Sequence, residues 1–271
     1  MQIFSPSQPM AKSLANFSSN AKKGSLRQEI AENLQSKFLP PTSPLTLPGK
    51  QKSPFANPYL DIWNWSCTTL EWGGPIHSTE RVVRSHPLLP VLYHHFGCVP
   101  PTHDALHLIT QLSSAGGQKV VIEIGSGGGY WTYMLRKYYH VKCVAVDDGS
   151  SVFRTIWIPD TIVHDGPSFV KSAPSTRVKN IPEFSLNTAV LLLVYPPAGG
   201  NFTESVLTAF EGSAIVVAGT QNGNGFTGFP KGSTVEKWME SNKAEFELKA
   251  RIPLPSFAGK DEGLFVWVKK A

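Results

Sequence analysis

Short hydrophobic runs recur through the second half of the chain, alternating with stretches of helical spacing. Residues 119–139, KVVIEIGSGGGYWTYMLRKYY, set the pattern. Val120, Val121, Ile122 and Ile124 read as a buried strand, and a glycine-serine turn follows. Trp131, Met134, Leu135 and Tyr138 then recur at i, i+3, i+4 and i+7, the stripe of a helix packed on a sheet. Further strands are expected over 141–146, 161–163, 188–194 and 213–218, with a helix over 202–210. Residues 188–194 are apolar without a break, as in a parallel strand buried on both faces. A second helix is expected over 233–240, with Ser233 as its cap and Glu236 three residues on as a capping box. Strands over 246–252 and 264–268, joined by a loop over 253–263, close the sheet. Strands alternating with helices in this way predict a Rossmann-like, doubly wound α/β fold with a mostly parallel, seven-stranded sheet.

The pattern fails over residues 1–58. This segment holds eight prolines and nine serines without a sustained apolar period. It cannot bury enough surface to offset the entropy of ordering, so a disordered basic tail is expected, with room for one short helix over 26–38. Residues 59–112 carry aromatics and histidines and are expected to form a helical extension that covers the ligand edge of the sheet. Thr102, after Pro100-Pro101, is the expected cap of a helix bearing His103 and His107. The core then spans 113–271.

Charge narrows the partners. Seven Lys/Arg against Glu29 and Glu32 give the first 58 residues +5, the whole formal charge of the chain, leaving 18 basic and 18 acidic residues in 59–271. A folded part without net charge argues against nucleic acid as the partner. No apolar stretch has the length of a transmembrane helix. Cys67, Cys98 and Cys143 are an odd number without metal spacing, which suggests a reducing compartment. The expected location is cytoplasmic, with nuclear and mitochondrial placement left open, since the first 28 residues are acid-free, Ser-rich and basic.

The chemistry gathers at the strand ends. Gly125, Gly127 and Gly129 stand at alternate positions between strand and helix, where the backbone turns sharply and a ligand can approach the main chain. A dinucleotide fingerprint G-x-G-x-x-G would need glycine where Tyr130 stands, which disfavours a nicotinamide oxidoreductase. Asp147 ends the next strand, 22 positions after Gly125, close to the spacing at which such sheets set a carboxylate on ribose hydroxyls. Asp165 ends the strand after that. His94, His95, Cys98, His103 and His107 lie near one another in sequence, but with neither HExxH nor paired CxxC no metal site is assigned.

Glu123-x-Gly125-x-Gly127-x-Gly129, with VAVDD and LLLVYPP downstream, resembles the class I S-adenosylmethionine-dependent methyltransferases. It is also similar to a group of uncharacterised methyltransferase-like proteins of bacteria and fungi that share a G-Y-W first motif and a W/Y-P-P fourth motif. The resemblance implies S-adenosyl-L-methionine as cofactor. Gly125, Gly127 and Gly129 would line its methionine and ribose, with Glu123 shaping the strand end and Ser126, Tyr130 and Gly166 beside them. Asp147 would hold the ribose, and Asp165 the adenine amino group. The loop after the fourth strand would face the methyl group, making Tyr195 the candidate catalytic residue and Pro196 and Pro197 a stiff acceptor wall. Amino-methylating DNA enzymes carry Asp or Asn before the prolines and an aromatic after them. Tyr195 and Ala198 depart from both, which disfavours a nucleobase acceptor. Trp72, Gln221 and Asn222 are the remaining acceptor-site candidates, for a small-molecule or protein acceptor. The irregular fourth motif keeps open a second reading, a catalytically inactive binding or scaffolding protein.

Overall fold

The computed structural model describes residues 37–49, 53, 55–69, 73–74, 88–172, 184–222, 227–229 and 232–270. In chain order its elements are α1 (Pro58–Thr69), β1 (Gly73–Gly74), α2 (Leu89–Phe96), α3 (His103–Ser114), β2 (Val121–Ile124), α4 (Tyr130–Tyr139), β3 (Cys143–Asp147) and β4 (Ile162–Val163). They continue with α5 (Gly166–Ser172), β5 (Val190–Val194), α6 (Phe202–Ala209), β6 (Ala214–Thr220), α7 (Val235–Asn242), β7 (Phe246–Pro253), β8 (Ser256–Phe257) and β9 (Glu262–Lys269).

Seven strands form one sheet in the order β4-β3-β2-β5-β6-β9-β7. Neighbours from β4 to β6 pair in parallel, while β9 runs antiparallel to both β6 and β7. The order reverses between β2 and β5, and the crevice outside the carboxyl ends of those strands is where sheets of this type take ligands.

Period-two alternation decides which side chain meets which layer. Val121, Cys143, Val190, Leu192, Val216, Leu264 and Val266 face a cluster built with α3, α4 and the extension. Ile122, Val144, Leu191, Leu193, Ile215, Val217 and Phe265 face a second cluster completed by Phe169 of α5, Val206 and Leu207 of α6 and Met239 of α7. The doubly wound plan read from the sequence is the observed one.

Four local expectations are corrected. Thr234, not Ser233, caps α7: it has extended backbone and its hydroxyl accepts from the Lys237 amide at 3.3 Å. Glu236 is therefore not the partner in a capping box, and it pairs instead with Arg251 at 2.7 Å. The loop expected over 253–263 contains β8, which pairs with β1. Part of the segment expected to be disordered is packed: Leu39 exchanges backbone hydrogen bonds with Arg251 on β7, and Leu45 is 3% exposed. β7 is the sheet edge, whose unpaired backbone groups accept an extended chain. Residues 148–161 join β3 to β4 without a helix, although such parallel crossovers usually contain one.

Thr102 caps α3 as expected, accepting from the Ala105 amide at 3.1 Å. No helix among the described residues is long and apolar enough to cross a membrane.

Candidate functional site

The glycine turn after β2 is built on three left-handed residues, Gly125, Gly127 and Gly129, with φ of 71°, 55° and 78°. The amides of Gly125 and Ser126 donate to the Val146 carbonyl at 2.8 and 3.1 Å, tying the turn to β3. The Gly127 amide donates to Asp147 Oδ2 at 2.8 Å, and the Gly149 amide donates to Oδ1 at 2.9 Å. Asp147 thus stands where the sequence put it, and its first partner is the turn itself.

Glu123 does not face the crevice. Strand alternation puts it on the side of Val121, beneath α4. There it is wholly buried and accepts from both the amide and the hydroxyl of Thr132. Burial pushes its carboxyl up to about 7, with the Thr132 hydrogen bonds pulling the other way.

A strap formed by 148–158 crosses the turn. A Cβ on Gly127 would stand 2.6 Å from the Phe153 ring, and one on Gly128 would stand 2.7 Å from the Thr155 carbonyl oxygen. A Cβ on Gly129 would collide with Ile158. On the side where a Cβ would stand, the space at Gly127 and Gly129 is taken by the chain itself. The strap is fastened from both sides. Trp157 donates its amide to the Gly128 carbonyl at 2.8 Å and its indole N–H to the His95 carbonyl at 2.6 Å. The Arg154 amide donates to the His94 carbonyl at 2.8 Å. His94 Nδ1 lies 2.7 Å from the Val152 carbonyl oxygen, and His95 Nδ1 lies 2.7 Å from Thr155 Oγ1. Two histidines of the extension therefore serve the strap. Among the described residues no group of three His, Cys, Asp or Glu gathers as a metal site would require.

Tyr130 also turns away from the crevice. Its hydroxyl donates to Asn57 Oδ1 at 2.8 Å, and its ring lies edge-on to Phe96 and Trp157. Asp165 is exposed and accepts from the Ser168 amide at 2.9 Å, which with the Ser168 hydroxyl holds its carboxyl below the usual range. A Cβ on Gly166 would stand 2.5 Å from Ile124 and 3.0 Å from the Phe202 ring, whereas one on Gly125 would meet that ring only at an ordinary 3.5 Å. Ser126 Oγ is buried without a hydrogen-bond partner. The residues that fit a nucleoside sulfonium are therefore Gly125, where even a Cβ would meet only ordinary packing, the orphaned Ser126 hydroxyl, and the acids Asp147, which ends β3, and Asp165, which follows β4. Over 127–129 the strap is the wall.

On the other side of the switch point, Tyr195 follows β5 with φ of 48°, a strained region for a residue with a Cβ. Its amide donates to the Ala218 carbonyl at 2.7 Å. Lys260 Nζ donates to its hydroxyl, sits 4.4 Å from its ring centroid and 5.5 Å from that of Tyr93. Glu262, two residues on, is 1% exposed, and neither carboxylate oxygen has a hydrogen-bond partner. Burial pushes its carboxyl up to about 7, opposed by the Lys260 ammonium and by the neighbouring Ser256 hydroxyl. Asp261 lies beside it, and Tyr59, Tyr93, Cys98 and Tyr195 face it from the extension and from β5. Burial raises the Cys98 thiol to about 11 and the phenols of Tyr93 and Tyr195 further, and lowers Lys260.

Sequence reasoning missed Lys260 and Glu262 because both fell at the end of an expected loop. The signal was present: counting back by two from Val266 and Leu264 puts Glu262 on the same buried face. Gln221 and Asn222 serve the strand junction. Gln221 donates to Asp261 Oδ1 at 2.9 Å, and Asn222 Oδ1 accepts from the Thr220 hydroxyl at 3.1 Å. Pro196 is buried and Pro197 exposed. Trp72 lies outside the described residues.

No protein-family model matches the chain. No curated protein matches it either. Solved structures similar to it include TrmK of M. capricolum in complex with S-adenosyl-homocysteine, at 13% identity over 60% of this chain and 67% of that one, TM-score 0.35. The N-methyltransferase NodS of Bradyrhizobium japonicum, also in complex with S-adenosyl-l-homocysteine, is 13% identical over 60% of this chain and 84% of its own, TM-score 0.36. The [4+2]-cyclase SpnF is 10% identical over 63% and 82%, TM-score 0.38.

Proposed function

We propose that this chain is an S-adenosyl-L-methionine-dependent methyltransferase acting on a small-molecule or protein acceptor, with 59–112 as a cap on a core spanning 113–271. The observation that carries the reading is a set of three features along the carboxyl edge of β2, β3 and β4. Asp147 ends β3 and Asp165 follows the adjacent β4, the turn after β2 is left-handed at its glycines, and it holds an orphaned buried hydroxyl at Ser126. Carboxylates there accept from a ribose diol and an adenine amino group. The cofactor, when bound, supplies an activated methyl group. The chain's part is to orient the acceptor and to exclude water, since in-line displacement depends on alignment.

One observation favours a second reading, a binding protein without turnover. The strap fills the room over 127–129, and Asp147 is already bonded to two backbone amides. Calorimetric titration of the full chain with S-adenosylhomocysteine, with NADH as control, separates the two. Binding in the micromolar range, about −8 kcal/mol, together with methyl transfer to an extract component, is the expected outcome. Binding without transfer favours the second reading, and no heat with S-adenosylhomocysteine removes the first.

A further inference from the structure

We propose that Glu262 is the proton-accepting group of a site for a phenolic hydroxyl, with Lys260 and Tyr195 facing the phenol oxygen and the rings of Tyr93 and Tyr195 flanking it. This deepens the methyl-transfer reading and rests on it for the reaction, though not for the binding.

Glu262 and Tyr195 come together at the ligand edge. Glu262 pairs in register with Thr220 at the carboxyl end of β6, and Tyr195, at the end of β5, is bonded to Ala218 of the same strand. Both oxygens of Glu262 and the Tyr93 hydroxyl are buried there without hydrogen-bond partners, the neighbouring Ser256 hydroxyl donating to the Leu254 carbonyl at 3.1 Å instead. Buried polar atoms are seldom left so, and three together with a strained Tyr195 mark a place built for a ligand. A carboxylate is acceptor-only, so the ligand presents a donor. An ammonium donor would be brought up against Lys260, whereas a hydroxyl that loses its proton would gain from that ammonium. Tyr195 Oη accepts from Lys260, so the tyrosine's own proton can be donated to the ligand oxygen. Aromatic rings beside the cation suit a flat ligand.

In the reaction the acceptor's O–H bond breaks and its proton passes to Glu262. The oxygen's electron pair forms the new O–C bond as the C–S bond of the sulfonium methyl donor breaks, and that donor leaves as a neutral thioether. A carboxyl group perturbed by burial beside a charge partner is typical of such a base.

The test is equilibrium binding to the full chain of 4-methylphenol, of 4-methylanisole, which lacks the donor, and of 4-methylbenzylamine. The phenol is expected to bind at least tenfold more tightly than either of the others. Glu262→Gln is expected to lower phenol affinity at least tenfold while leaving S-adenosylhomocysteine affinity unchanged. The proposal is overturned by absence of phenol binding, by equal binding of the anisole, by preference for the benzylamine, or by a folded Glu262→Gln variant with unchanged phenol affinity. The three-ligand comparison needs no variant and stands if Glu262→Gln does not fold. Phenol selectivity without S-adenosylhomocysteine binding supports the site and removes only the methyl-transfer reading.

Discussion

The amide of Gly127 donates to the carboxylate of Asp147 at 2.8 Å. Each is expected from the sequence to meet a nucleoside cofactor, and each is the other's partner, which ties the turn to the end of β3. Above the turn lies Phe153, whose ring stands where any side chain on Gly127 would begin.

Gly127→Ala is expected to destabilise the protein by about 1–3 kcal/mol, from left-handed strain and overpacking. In a Phe153→Ala background the overpacking part disappears, so a double-mutant cycle in urea unfolding should give a coupling of about 1 kcal/mol or more. Strict additivity would mean that Phe153 does not press on Gly127.

Glu123→Ala leaves the Thr132 amide and hydroxyl buried without their acceptor. A loss of about 2–4 kcal/mol is expected, with Glu123→Gln retaining part of it. A loss below about 0.5 kcal/mol, within the range of ordinary surface substitutions, would contradict the role assigned to Glu123 beneath α4.

Glu123 and Glu262 carry carboxyls raised to about 7 in the folded protein from an ordinary 4.5. Between those values the folded form keeps protons that the unfolded chain has released. Stability is therefore greatest below about pH 4.5 as far as these two groups are concerned, and falls as pH rises to about 7, by at most about 3 kcal/mol for each. Unfolding of wild type and Glu262→Gln at pH 5 and pH 8 isolates one group. The variant should gain on wild type at pH 8 relative to pH 5, and an equal difference at both values would show that Glu262 titrates normally.

Thr234→Ala should cost about 1 kcal/mol through loss of the α7 cap, and Ser233→Ala only a few tenths. The reverse ranking in thermal melts would return the cap to Ser233.

Much of this was legible in the sequence. Of the helix stripe, Trp131, Met134 and Leu135 are buried and Tyr138 is half-buried against the same cluster, and Thr102 caps the helix it was expected to cap. Tyr195 lies in the site through a partner, Lys260, that is 65 positions away in the chain. Trp72 falls outside the described residues, and Tyr130 is turned toward the extension by Asn57, 73 positions upstream. Spacing specifies a face only within one element, so contacts across elements leave no local mark.

The sequence by itself determined the seven strands of the main sheet, the glycine turn and the acids beyond the strand ends, because these follow from periods of two and 3.6 and from the backbone freedom of glycine. Only the tertiary structure decided what occupies the room the glycines leave. It decided as well that Glu262 and Lys260 complete the edge begun by Tyr195. A missing Cβ makes space equally for a ligand and for the chain's own strap, and which one enters depends on how 148–158 is fastened by His94, His95 and Gly128.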